Sequence, residues 1–439
     1  MSALRIVLAE SPAGLGLRRR IALRLATVLD AKVEKAVRRI VSAIRKGGDA
    51  ALVQAVRTYD GFTAAAAVAD LRLAPLPEDR GWRNIPPDVS AAVDLAIANV
   101  ERFHRAQLAA GGDGFVVESP GVTLAEIVRP LARVGLYVPG GRASYPSTAL
   151  MTVVPARVAG VAEIVVATPA RTYLEQPVLR YTLACLGVEE IWGVGGAHAI
   201  AALAYGTESV RRVDAIAGPG NAWVTAAKRQ VGGRVAIDGL MGPSEVVIVA
   251  DEESDPEWIA ADLLAQAEHD PRAAALLVTT SRALARRVAE AMERQLRTLA
   301  TAETARAALG AYGGALLVAD LDAAIALADE IAPEHLQLVG AEIEAGAGRY
   351  SNAGAIFVGA RTPEVFGDYV AGPSHVLPTC GTARFASGLT VETFRRRTHR
   401  IEVHDAAAAT RFATAAAALA TAEGLPAHAA AAAARRGAA

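Results

Sequence analysis

Apolar positions in residues 33–46 recur every three or four places, at Val33, Ala36, Ile40, Ala43 and Ile44. That period lines one face of a helix, and Gly47-Gly48 predicts its end. A second helix is predicted after Pro87, over 89–103. From about residue 133 short β-rich runs alternate with helical ones. Strands are predicted at 134–138, 163–167, 189–194, 214–216, 235–238 and 245–250, with helices such as 197–205 and 222–230 between them. After residue 250 the alternation resumes, with strands at 273–279, 315–318, 337–339 and 355–358. Such alternation predicts parallel α/β structure, in two sheets of similar make-up. Residues 385–439 read as mostly helical and alanine-rich, a tail with little large apolar material that suits docking on another surface.

Composition narrows the class. The chain has 439 residues, 52% hydrophobic and 21% charged, with a formal net charge of -1. Nothing in that balance points to nucleic acid. The basic run Arg395–Arg397 reads as a solvated helix face. The two cysteines, Cys185 and Cys380, make no disulfide framework and fit a reducing cytosol. No apolar run is long enough for a membrane span, and the basic cluster Arg18–Arg20 follows the apolar part of the N-terminus. The expected protein is cytoplasmic.

Three glycine turns follow predicted strands: Pro139-Gly140-Gly141, Gly193-Val194-Gly195-Gly196 and Gly218-Pro219-Gly220-Asn221. Such turns bind ligands at the carboxyl ends of parallel strands, and the next helix offers free N–H groups. None carries the dinucleotide fingerprint in frame, so each alone reads as an ordinary turn. Gln266 and His269 share a helix face in a last turn before Pro271, behind a predicted capping box at Ser254-Asp255-Pro256-Glu257. They suit half of a Zn²⁺ site, or equally a polar helix end in water. Glu334 and His335 are adjacent on a loop and suit proton transfer. Asp368 and His375 lie in a glycine-rich polar loop that suits a metal or substrate, or plain solvent. Glu423 and His428 flank a tight corner, out of place between alanine-rich helices. His104, His399 and His404 have no comparable surroundings and read as structural or solvent-exposed.

Taken together these residues closely resemble the L-histidinol dehydrogenase family, over essentially residues 30–435. The matching stretches run in one order: Tyr137–Gly141, Gly195–Gly206, Gly218–Asn221, Gly242–Glu245, Gln266–Pro271, Ala332–Leu336, Gly367–Tyr369, His375–Pro378 and Glu423–His428. The resemblance implies an aldehyde-dehydrogenase-like fold with two incomplete Rossmann-like domains. It implies one zinc ion per subunit on Gln266, His269, Asp368 and His428, with Glu334 and His335 as the proton-transfer pair. Ser244, His375 and Glu423 join those groups around the substrate, and Tyr137, His198 and Asn221 fall where NAD binds. Position 198 is usually glutamine in the family, and Ser374, Met241 and Trp223 also depart from its usual residues.

The implied organisation is an N-terminal arm, 1–30, then a first α/β domain from 31–132 and 246–384 with the N-terminal helices. A second, NAD-binding domain is 133–245, and 385–439 is a tail that completes the site of a second copy in a homodimer. The implied activity is oxidation of L-histidinol through the aldehyde to L-histidine with two NAD, the last steps of histidine biosynthesis. A paralogue acting on another small alcohol and a zinc hydrolase using Glu334 are the alternatives.

Overall fold

The computed structural model describes residues 4–75, 85–140 and 145–437, so Gly141 lies outside the described residues. Its architecture is α/β, two incomplete Rossmann-like units built on two six-stranded sheets. The first sheet runs Ile6–Leu8, Gly314–Leu317, Ala274–Thr279, Glu245–Ala250, His335–Val339 and Ala355–Val358 from edge to edge, all parallel. Its central strand is an apolar run buried on both faces, as parallel sheets require. Val246 and Ile248 face one way, onto Leu263 and Leu284. Val247 and Val249 face the other, onto Leu327 and Ala328. The second sheet runs Arg72–Leu73, Glu190–Gly193, Glu163–Thr168, Arg133–Tyr137, Ala215–Ala217 and Ala236–Ile237. Only its first strand is antiparallel.

Three expectations are corrected. Residues 1–30 do not form a separate arm, because Ile6–Leu8 pairs as an edge strand of the first sheet. The helices of 31–132 do not cover that sheet. Val37, Ile40, Val41 and Ile44 pack instead against Ile200, Leu203 and Val224 of the helices on the second sheet, while Ala43 stays exposed. The helix predicted to end at Gly47-Gly48 does break there: Gly48 is non-helical, with φ 52°, and a second helical stretch follows the kink to Ala55. There the Glu208 carboxylate accepts from Asp49 N at 2.7 Å, replacing helical bonding, and a Cβ on Gly48 would lie 2.1 Å from its oxygen. Finally, Arg395–Val403 is a strand rather than a helix face. It pairs antiparallel with Val122–Pro130, which also pairs with Gly114–Ser119. Arg397 meets Glu126 across that ladder. The rest of the tail is the helix pair Ala406–Ala422 and Pro426–Ala433.

Among the described residues no helix is long and apolar enough to cross a membrane.

Candidate active site

His335 opens its strand and is buried, with the neighbouring strand's Glu245 and Val246 alongside. The cluster therefore sits at the amino ends of the first sheet's strands, whereas Tyr137 and the glycine turns sit at the carboxyl ends of the second. The two ends are joined where the Thr148 hydroxyl lies 3.3 Å from His375 Nε2.

The backbone sets the tautomer of His335. Its Nδ1 lies 3.2 Å from the Glu245 carbonyl oxygen. A carbonyl only accepts, so Nδ1–H donates and Nε2 keeps its lone pair. That Nε2 stands 3.7 Å from Asp368 Oδ1. Burial lowers the imidazole pKa to about 4, outweighing the attraction of Asp368. At neutral pH the ring is an uncharged base.

Glu334 is buried beside it, and its Oε2 accepts from Glu245 N at 3.0 Å. Burial, then the nearby Asp368, raises its pKa well above the usual range, while Ser244 and Arg24 pull the other way. A carboxyl raised toward neutrality can give and take protons. Arg24, wholly buried, pairs with Glu245 and donates to the Ser244 and Arg272 carbonyls, each at 3.3 Å. It is a cation placed directly behind the proton-transfer pair.

Gln266 closes the helix Pro256–Ala267, whose N-cap is Asp255 rather than the expected Ser254. Ser254 is diverted, its hydroxyl donating to Asp251. Gln266 lies between two imidazoles: its Oε1 accepts from His335 Nδ1 at 3.2 Å, and its Nε2 donates to His269 Nδ1 at 3.3 Å. Neighbouring zinc ligands about 2.1 Å from the ion at tetrahedral angles stand roughly 3.4 Å apart, so the Gln266 amide, turned to present its oxygen, and the His269 imidazole are near enough that they could share the metal in place of their hydrogen bond. Asp368 lies on the helix Glu364–Tyr369, and its carbonyl accepts from His375 Nδ1 at 2.9 Å. Burial lowers the His375 pKa.

The expected set of four ligands is not assembled within one chain. Glu423 and His428 are exposed on the tail corner, away from this cluster. Among the described residues no group of three or more His, Cys, Asp or Glu side chains is placed to hold a metal. The physical reason is the tail itself, whose two terminal helices pack chiefly on each other.

At the second sheet Tyr137 is buried, and its hydroxyl accepts from Gly196 N at 3.0 Å. Burial raises its phenol pKa. His198 Nε2 lies 3.0 Å from Asp60 Oδ2. Asn221 caps the helix Ala222–Val231, its side-chain oxygen accepting from Trp223 N at 3.0 Å and Val224 N at 3.3 Å. Gly218 has φ 116°, and a Cβ there would meet the Tyr137 carbonyl oxygen at 2.1 Å, so only glycine fits. Much of the N–H supply expected at these turns is thus taken by the chain's own side chains.

Sequence reasoning missed Asp60, Arg24, Thr148, Glu245, Asp262, Gln337 and Glu364. Three carried a signal. Asp262 is four residues before Gln266 and Glu364 four before Asp368, each on one helix face, while Gln337 is two after His335 on one strand face.

The family model for histidinol dehydrogenase matches residues 24–436. The histidinol dehydrogenase of Moorella thermoacetica is 49% identical over 397 residues, 90% of this chain and 92% of that one. That of Synechococcus sp. is 47% identical, with 90% of each chain covered. The crystal structure of histidinol dehydrogenase from Elizabethkingia anophelis superposes with a TM-score of 0.85 at 29% identity, covering 99% of this chain and 98% of that one.

Proposed function

The chain belongs to the histidinol dehydrogenase family, and from that premise we propose that it oxidises L-histidinol through L-histidinaldehyde to L-histidine, using two NAD⁺. The observation that carries this reading is His335: a buried, neutral imidazole with a free Nε2 beside the raised carboxyl of Glu334. The balance is one alcohol, one water and two NAD⁺ to one carboxylate, two NADH and three protons. His335 Nε2 takes the hydroxyl proton as hydride leaves the carbinol carbon. The aldehyde must then be hydrated before a second hydride can depart. Glu334, held by Glu245 N, accepts the proton of that water, and His335 serves again in the second oxidation.

Gln266, His269 and Asp368 would hold zinc, with His428 of a second copy completing the set. When bound, the ion supplies a charged anchor for the substrate nitrogens, which works by positioning. Ser244 and His375 line the same space, and Glu423 of the second copy accepts from the substrate imidazole. Homodimer formation is part of this reading. It is supported by exposed, polar Glu423 and His428 on a tail with few apolar contacts of its own. We assign NAD to the second sheet, at Tyr137, His198 and Asn221, and the redox chemistry to the cleft between the sheets. The hydrolase alternative is set aside, since the named relatives are histidinol dehydrogenases throughout.

The test is stoichiometry. Purified protein with limiting L-histidinol and excess NAD⁺ should form about two NADH per histidinol, since one base serves two successive oxidations. One NADH with free aldehyde released would overturn the two-step reading, and no NADH at all would overturn the reaction.

A further inference from the structure

Asp60 lies far from the proton-transfer pair in sequence and at the second sheet, and its carboxylate is held there by two partners. Its Oδ2 accepts from Gly195 N at 2.8 Å and lies 3.0 Å from His198 Nε2. The pair is enclosed, with side-chain exposures of 9% for Asp60 and 2% for His198. The Tyr59 ring lies 5.9 Å from the His198 ring, tilted to it by 37°. A Cβ added at Gly195 would come within 2.9 Å of Asp60 Oδ1, so the glycine admits the carboxylate.

The backbone that delivers Asp60 is unusual. The helix Ala31–Ala55 widens into a π-turn over Val56–Asp60 and stops at Gly61 with φ 66°. Single π-turns of this kind re-aim side chains and concentrate at functional positions. The delivered carboxylate holds the turn that leads from the strand Glu190–Gly193 into the helix Gly196–Tyr205. The next N–H in that turn, of Gly196, is held by the Tyr137 hydroxyl. Two consecutive N–H groups are thus fixed, one by a group assigned to NAD and one by Asp60.

We propose that Asp60 and His198 form a latch that positions the Gly193–Gly196 turn for the dinucleotide, so that His198 acts on NAD through Asp60 and not by touching the cofactor. The inference rests on the NAD assignment above and refines it. His198 Nε2 is committed to the carboxylate, and the ring is buried beside its own turn, where a Cβ built on Gly196 would stand 3.5 Å from Nδ1. Asp60 is accordingly a positioning residue for the cofactor.

A double-mutant cycle separates this from direct contact. The variants are Asp60→Ala, His198→Ala, the pair together, and His198→Gln, whose amide N–H still reaches a carboxylate. NADH binding is read by fluorescence titration, and KM for NAD⁺ and for histidinol by steady-state kinetics. Loss of the latch should weaken NADH binding and raise KM for NAD⁺ about tenfold, the scale of one hydrogen bond to a charged group. KM for histidinol should stay within about twofold, since the cleft cluster is untouched. The double variant should be no weaker than either single one, and His198→Gln should restore most of the affinity. Additive losses in the double variant would make His198 a direct contact and overturn the latch. Equal rises in both KM values, with a lowered melting temperature, would make Asp60 merely structural and overturn it as well. If Asp60→Ala does not fold, Asp60→Asn keeps the shape and removes the charge. Unaltered NADH affinity in that variant overturns the proposal. Wild-type protein that binds no NADH would sink the NAD assignment itself, a result distinct from all of these.

Discussion

Three residue pairs, each spaced for one face, meet beneath the reacting centre. Asp262 and Gln266 are four apart on a helix, Glu364 and Asp368 four apart on another, and His335 and Gln337 two apart on a strand. Gln266, His335 and Asp368 form the upper layer, of which only Asp368 is partly exposed. Asp262, Gln337 and Glu364 form the lower one, where Gln337 Nε2 donates to Asp262 Oδ2 at 2.8 Å. Burial raises the Asp262 pKa to about 6, against the pull of that hydrogen bond. Unfolded, the carboxyl titrates near its ordinary value of about 3.9. The folded state therefore holds its proton more tightly, and this stabilisation is full below about pH 4 and lost as pH rises through about 6. Asp262→Asn carries no such charge. Its stability relative to wild type should grow by up to about 3 kcal/mol between pH 4 and pH 7.5, measured by denaturant midpoints. A gap that does not change with pH would mean that Asp262 titrates as an exposed group. In the upper layer, His335→Asn should slow both oxidations by about 10²–10⁴-fold. Glu334→Gln should slow oxidation of histidinaldehyde more than that of histidinol. Equal losses on the two substrates would remove the special role of Glu334 in hydration. The upper layer was legible in sequence because its residues stand beside prolines and glycines, at element ends. The lower one was hidden, since a carboxylate within a helix reads as a solvated face unless its partner four residues on is already known.

Elements divide in the same way. The run Glu245–Ala250 is a strand in the sequence and in the fold, because the five consecutive small or β-branched residues after Glu245 have no helical stripe to offer. The strand Arg395–Val403 was not legible, since its reason to exist is a register with Val122–Pro130, some 270 residues away in the chain. The Gly218 turn is supported from nearer in the chain. Lys228, nearly fully buried on the helix Ala222–Val231, donates to the Gly218 carbonyl and pairs with Asp238, whose other oxygen accepts from Gly218 N at 2.7 Å. Both backbone groups of Gly218 are thus held by one buried ion pair. Lys228→Met should cost roughly 3–5 kcal/mol, because it leaves a buried carboxylate unpaired. Lys228→Met with Asp238→Leu should recover a good part of that loss, as replacing both charges removes the stranded one. Chemical denaturation of the three proteins decides it. A double variant as unstable as the sum of its singles would show that the pair is not the unit that holds the turn.

The whole molecule presents an unbalanced division of labour. Its body gathers Gln266, His269, Glu334, His335, Asp368 and His375, while Glu423 and His428 stand exposed on a pair of short alanine-rich helices at the other end of the chain. A symmetric dimer in which each tail enters the other body resolves that imbalance, since a two-fold axis makes both exchanges at once. The decisive measurement is complementation. His335→Asn removes the base from the body, and His428→Ala removes a ligand from the tail, so each protein alone should be inactive. In an unfolded and refolded equal mixture, half of the dimers pair one of each. Of the two sites in such a dimer, one joins the damaged body to the damaged tail and stays dead. The other joins an intact body to an intact tail. Activity should therefore return to about a quarter of the wild-type value, the yield that random pairing of two-fold dimers allows. The zinc content of the His428→Ala protein, measured alone, should be low, because an ion missing one of its protein ligands is held poorly. If every site were built within one chain, mixing would restore nothing, and the exposed tail would need another explanation.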